Sequence, residues 1–278
     1  MLPPLRPQRR RRRQNKTMVF RRQIGWGVAQ AYRLMGARWR AFARCRQPGM
    51  ILPIVFHAAE PDEVRGVLSA LKGIPLEVTF DDGWRQLSPT LSVLEEFNQP
   101  ATVFIAPGET ERGVVWTNAL MNAGVPDDEW HPWYALAADA RYAKCDAHPR
   151  GPRTLLAPAE VQELARHPLI RIGNHTWSHL SCTHRPMAEV LDEIDRTQAT
   201  LTAWCGSAPT AFAYPFGRGT PELDAAIRSR GLTPYYTRQG LVTEETRGTA
   251  RNMVYEGMTL AENVGRVLQA WPKVGVTR

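Results

Sequence analysis

Leu76-Glu77-Val78-Thr79-Phe80-Asp81-Asp82-Gly83 is a short apolar and β-branched run that ends in two adjacent carboxylates and a glycine. Such a run, bounded by Asp and Gly, reads as a buried strand that delivers acidic groups at its carboxyl end. That end is where α/β folds place their chemistry. Asp-Gly is also an ordinary turn dipeptide, so the stretch needs a second signal. It comes at Asn174-His175-Thr176-Trp177-Ser178-His179, where the apolar run Leu169 to Ile172 ends in two imidazoles four positions apart.

Working outward, strand and helix alternate at short spacing. Ile51–Phe56 reads as a strand ending in His57, followed by a helix over Asp62–Leu71, then Leu76–Phe80, a helix over Pro89–Phe97, and Ala101–Ile105. The pattern resumes with a helix at Pro158–Arg166, the strand Leu169–Ile172 and a long helix over Pro186–Trp204. It closes with Ala211–Tyr214, a helix at Pro221–Arg230, Tyr235–Thr237, Met253–Tyr255 and a helix from Leu260 to Trp271. Seven strand candidates separated by helices predict parallel strands with crossover helices, an α/β fold of the distorted (β/α) barrel kind. Residues 108–157 break the rhythm. They carry Trp116, Trp130, Trp133, Tyr134 and Tyr142 and read as an aromatic-rich insertion, its rings either stacking on sugars or forming the insertion's own core.

The 278 residues carry a formal charge of +8, but unevenly: residues 1–50 hold 14 Lys/Arg and no acid, leaving the remainder at 21 basic against 27 acidic residues, or −6. The basic character belongs to the N-terminal tract rather than to a nucleic-acid-binding body. Residues 1–17, with the run Arg9 to Arg13, read as a disordered basic tail. Residues 18–47 read as a basic amphipathic helix, with Arg22, Arg33, Arg40 and Arg44 on one side and Ile24, Val28, Met35, Trp39 and Phe42 on the other. That helix either lies on an anionic membrane surface or packs on the domain that follows, residues 48–278. No apolar run reaches transmembrane length, and arginines interrupt the only candidate for a secretory signal, so the expected location is cytoplasmic, with peripheral contact at the inner face of the membrane. Cys45, Cys145, Cys182 and Cys205 show no CxxC spacing and give no cysteine metal site. No GxGxxG or GxxxxGK stretch supports a nucleotide cofactor.

Two imidazoles and a carboxylate suit a divalent first-row ion, zinc foremost, with cobalt, nickel, manganese or iron as alternatives. Asp82, His175 and His179 are the expected ligands. Two adjacent aspartates cannot both face one ion from an extended strand end, which assigns Asp81 to a proton. A pair of structural histidines capping a helix, and a non-heme iron oxygenase built on the same ligand set, are the competing readings.

These motifs resemble those of the polysaccharide deacetylase family, the NodB-homology domain of carbohydrate esterase family 4. Thr79-Phe80-Asp81-Asp82-Gly83 and His175-Thr176-Trp177-Ser178-His179 resemble its first two motifs. Pro100-Ala101-Thr102-Val103-Phe104 resembles the strand between them, and Phe212-Ala213-Tyr214-Pro215-Phe216-Gly217 the third motif. The resemblance implies a seven-stranded barrel that removes N-acetyl groups from sugars, with Asp81 as base, Asp82, His175 and His179 on the metal, and the Phe216 N–H as an oxyanion donor. It implies an N-acylated saccharide or glycolipid as substrate, in surface polysaccharide or lipid-linked precursor synthesis. The sequence departs from the family where Ala213 replaces an arginine that orients the base, where the aspartate and tryptophan of the fourth motif have no clear match around Tyr235 to Gly240, and where no histidine follows His184 to serve as general acid. His184 and His57 are the candidates for that acid. The alternative is a catalytically impaired, metal-containing glycan-binding or assembly protein.

Overall fold

A computed structural model describes residues 49–268. The expected basic tail and amphipathic helix lie outside the described residues. Seven strands form one parallel sheet: β1 Leu52–Phe56, β2 Leu76–Phe80, β3 Ala101–Ile105, β4 Ile170–Asn174, β5 Ala211–Ala213, β6 Thr233–Tyr235 and β7 Asn252–Met253, in the order β6-β5-β4-β3-β2-β1-β7. The sheet curls, and its two edges are joined through the connecting segment by Tyr236 N–H to Gly248 O (2.8 Å) and Arg251 N–H to Arg238 O (2.9 Å). This is the distorted barrel that the strand count predicts.

Alternation along each strand sorts its side chains between two environments. Leu52, Ile54 and Phe56 of β1 and Val78 and Phe80 of β2 share one buried apolar cluster with Val64, Val67 and Leu68 of the helix Pro61–Ala70. Phe56 and Phe80 are register partners and stack at 5.3 Å. The other parity, Thr79 and Asp81, enters the polar interior instead. Each fully buried aliphatic or aromatic side chain of the outer cluster contributes about 1.5–3 kcal/mol, which holds the strands in the register that brings their carboxyl ends together.

The expected elements recur with small shifts at their ends. β4 runs two residues beyond Ile172 because Gly173 and Asn174, poor strand formers, still pair with Phe104 and Ile105. β6 begins two residues earlier than Tyr235 and contains Pro234, which an edge strand tolerates because that edge needs no further donor. The insertion folds as short helices over Pro107–Arg112, Trp116–Asn122, Asp127–Trp130 and Ala138–Cys145. Trp116 and Trp130 are buried in one cluster with Val115, Leu120, Cys145 and Leu155, so the rings largely form the insertion's own core. Cys145, Cys182 and Cys205 are free thiols.

Candidate metal and acyl-transfer site

The carboxyl ends of β2 and β4 set the first half of the site. After Phe80 the backbone turns sharply: Asp82 sits at φ 71° and Gly83 at φ 74°. The turn points the two consecutive carboxylates at different partners, which an extended backbone could not do. The positive φ favours glycine at Gly83, and a Cβ there would also have to displace the tip of Ile105, whose Cδ1 would lie at 2.5 Å.

Asp82 Oδ1 lies 3.5 Å from His175 Nε2 and 3.3 Å from His179 Nε2. One ligand atom from each of the three residues falls within 4.8 Å of the others. Asp82 Oδ2 accepts from Trp84 Nε1 at 3.2 Å, which fixes the carboxylate. Oδ1 is buried and has no hydrogen-bond partner among the described residues. An unpaired buried acceptor costs about 1–3 kcal/mol, and a cation between Oδ1 and the two imidazoles would remove that cost. His175 Nδ1 donates to Ala213 O at 2.8 Å, which leaves Nε2 bare for a metal. Burial drives His179 down to about 3, outweighing the attraction of Asp82, so its ring is neutral and able to ligate. These residues fit a divalent cation.

Asp81 faces the other way. Its two oxygens accept from Arg251 Nη1 and Nη2 at 2.6 and 3.0 Å, a bidentate pair in which Arg251 is fully buried. Arg251 also donates to Thr79 Oγ1 (3.2 Å) and Tyr236 O (3.2 Å), and its guanidinium lies 5.1 Å from the Phe104 ring centre. Burial would raise the Asp81 carboxyl; Arg251, with His175 and His57, outweighs it and lowers it. The sequence comparison leaves Asp81 without an arginine because Ala213 stands at that place in the third motif. The structure corrects this: the arginine enters from β7 at the far end of the chain. Ala213 packs with Phe104 and Tyr235, the same rings that Arg251 overlies.

His57 Nε2, at the carboxyl end of β1, is 3.9 Å from Asp81 Oδ2, and its side chain is 31% exposed. His184 lies farther out. It is exposed and stacks on Tyr134 at 5.6 Å, while Tyr134 meets Phe216 at 4.8 Å and Phe216 meets His179 at 4.6 Å. Two rings therefore separate His184 from the ligand cluster, whereas His57 stands beside the carboxylates. Phe216 sits at φ 59° in the short 3-10 turn Pro215–Gly217, with its ring against His179.

Five non-glycine residues among those described adopt a left-handed conformation, and four of them, Asp82, Thr176, His179 and Phe216, line this site. Each costs about 1–3 kcal/mol and persists only where surrounding bonds over-determine it. For Thr176 and its loop these are Thr176 N–H to Asn174 Oδ1 (3.0 Å) and Leu180 N–H to Thr176 Oγ1 (2.9 Å). Sequence reading missed Arg251, Trp84 and the inserted residues around the His175–His179 loop. A buried aspartate at a strand end implies a buried cation nearby, and Arg251, two residues before the last strand candidate Met253–Tyr255, was the available signal.

Residues 70–235 match the sequence profile of the polysaccharide deacetylase family, more than half of the chain. Solved structures share the fold. A putative polysaccharide deacetylase from Bacillus anthracis is 15% identical with a TM-score of 0.55, over 78% of this chain and 69% of that one. A polysaccharide deacetylase from Bacillus cereus is 14% identical with a TM-score of 0.55 and the same coverage. IcaB from Ammonifex degensii is 17% identical with a TM-score of 0.52, over 80% of this chain and 98% of that one. Both His57 and Arg251 fall outside the matched residues. The chain belongs to the polysaccharide deacetylase family, and its Asp-His-His cluster is that of a metal-dependent, deacetylase-type hydrolase.

Proposed function

We propose that the chain hydrolyses the amide of an N-acetylated, or N-formylated, sugar in a surface polysaccharide or lipid-linked glycan precursor, with zinc as the resident ion. The observation that carries this reading is the tethered carboxylate: Asp81, buried and held bidentately by Arg251, stands beside the Asp82-His175-His179 cluster. A structural metal in a binding protein has no use for a second, separately oriented carboxylate. The binding-protein alternative drew its support from an unpartnered Asp81, and Arg251 supplies the partner.

A bound divalent ion would polarise the acyl carbonyl and make a neighbouring water acidic. Asp81 takes the proton from the attacking water, using an oxygen lone pair that Arg251 leaves unoccupied. Arg251 holds the carboxylate ionised and in one orientation. The Phe216 N–H donates to the oxygen that gains charge as the new C–O bond forms. His57 then gives a proton to the amide nitrogen as the C–N bond breaks, since an amine anion is too poor a leaving group. Acetate and the free amino sugar result. His57 is favoured over His184 because it is the histidine beside Asp81.

We place the enzyme in the cytoplasm, with its basic N-terminal tract meeting anionic lipid and bringing it to a lipid-linked substrate. Among the described residues no helix is long and apolar enough to cross a membrane. Sedimentation of the full chain with anionic but not neutral vesicles would support that placement. The activity is tested by acetate and formate release from N-acylated oligosaccharides and their lipid-linked forms, before and after chelation and zinc addition. Zinc-dependent release is expected; saccharide binding without release under any metal would contradict the hydrolase reading.

A further inference from the structure

The loop that carries His179 is held from outside by the inserted segment, one backbone carbonyl after another. Trp177 O accepts from Gly108 N–H at 2.9 Å. Ser178 O accepts from Arg141 Nη2 at 2.7 Å, and His179 O accepts from Trp116 Nε1 at 3.3 Å. Three consecutive carbonyls, ending at a ligand residue with φ 49°, thus all bond to residues 108–141.

Arg141 is the centre of this arrangement. It is fully buried, and its Nη2 also donates to Ser178 Oγ at 2.5 Å. Ser178 in turn gives its hydroxyl to Glu193 Oε1 (2.5 Å) and its N–H to Glu193 Oε2 (3.1 Å). Both acceptors of Ser178 therefore go to Arg141 and both donors to Glu193, a residue of the long helix Met187–Cys205. The guanidinium lies 5.0 Å from the ring centre of Trp116, so the two donors brace each other. At Gly108 a Cβ would meet Trp177 Nε1 at 2.6 Å and Trp177 O at 2.8 Å, and only glycine allows this approach. A buried arginine repays its desolvation only through well-made hydrogen bonds, and those of Arg141 go to Ser178 O, Ser178 Oγ and, at 3.4 Å, Leu136 O. Among the described residues His179 Nδ1 has no hydrogen-bond partner of its own. Its ring lacks the outer partner that His175 finds in Ala213, and its aim depends on the backbone.

We infer that the inserted segment is a clamp that sets metal affinity, with Arg141 and Trp116 as positioning residues that hold His179 toward Asp82 and His175. The inference rests on the metal-site reading and extends it to residues that touch neither metal nor substrate. Removing an outer partner of a metal ligand typically weakens metal binding about 10–100-fold.

Cobalt(II) titration of the purified full chain, against a competing chelator and followed by visible absorption, tests it. Arg141→Lys keeps the charge but shortens the side chain and loses the rigid planar geometry with which Nη2 reaches Ser178 O and Oγ. Trp116→Phe keeps an aromatic ring in the insertion's core but loses the donor to His179 O together with the volume of the second ring, and it decides the matter alone if Arg141→Lys does not fold. Both are expected to bind cobalt(II) about 10–100-fold more weakly than the parent, with an altered visible spectrum. Arg112→Lys, which perturbs the insertion at its pair with Asp146, serves as the control and is expected to bind like the parent. A folded Trp116→Phe protein with parental affinity and spectrum overturns the clamp while leaving the metal site standing. A parent that binds no cobalt(II) overturns both.

Discussion

The two halves of the site are built differently. The ligand half comes from two short stretches, Asp82 and His175 to His179, at the ends of β2 and β4. The half proposed to handle protons is assembled from three strand ends far apart in sequence: His57 after β1, Asp81 after β2 and Arg251 before β7. In the sheet these strands are neighbours, in the order β2-β1-β7. Two ligands that must approach one ion at fixed angles are most easily supplied from one rigid loop, so their spacing is confined. A residue that only has to reach a carboxylate can come from any neighbouring strand.

If the halves are separable, substitutions should sort by the property they damage. The largest effect is expected for Asp82→Ala: metal content falls to background and acetate release drops by about 10³-fold or more, as loss of a Lewis acid worth several kcal/mol requires. Elemental analysis and acetate release measured on the same preparation check this. On the proton-handling side, His57→Gln is expected to lower kcat by about 10²–10⁴-fold with metal retained. His184→Gln, altering an exposed ring, should leave kcat within about threefold. A reversed ranking would move the acid to His184 and break the assignment by proximity.

Arg251→Met removes the cation and leaves Asp81 buried without its partner. A loss of about 3–5 kcal/mol in unfolding free energy is expected from urea titration. Metal should remain bound, because the hydrogen bonds of Arg251 among the described residues go to Asp81, Thr79 and Tyr236 rather than to a ligand. A gentler effect is expected in the insertion. Glu109 is fully buried, accepting from Tyr142 Oη at 2.7 Å and Trp116 N–H at 2.8 Å, and burial pushes its carboxyl up to about 8. Between about pH 4.3, the unfolded value, and pH 8 the unfolded chain sheds a proton that the folded chain keeps. Stability contributed by neutral Glu109 is therefore full in acid and declines as pH rises through that window. In Glu109→Gln this decline should vanish from the stability–pH curve. An unchanged slope would show that the neighbouring arginines keep Glu109 ionised.

The same difference explains what could be read from the chain. Ala101–Ile105 is an uninterrupted apolar or β-branched run and Leu76–Phe80 is one broken only by Glu77, and both strands form over those residues. The Asp-Asp-Gly and His-to-His stretches were legible because local backbone geometry dictates their spacing. Arg251 was not: it follows a loop and leads a two-residue strand whose partner, β1, lies about 200 residues earlier. Periodicity carries no information about such a pairing. Arg141 was hidden for a related reason. In sequence it is one arginine on a short helix of charged and small residues, and only the packing of that helix against Ser178 buries it. The tryptophans of the insertion advertised a cluster, but not that one of them would reach the carbonyl of a ligand residue.

The division of labour between adjacent aspartates is tested most directly by Asp81→Asn, with metal stoichiometry and acetate release read from one sample. The side chain keeps its size, and Asp82 keeps its bond to Trp84. One equivalent of metal retained, with acetate release down by about 10²–10⁴-fold, is the expected result. Parental acetate release in that variant, or loss of the metal along with the activity, would contradict the separation of Asp81 from Asp82.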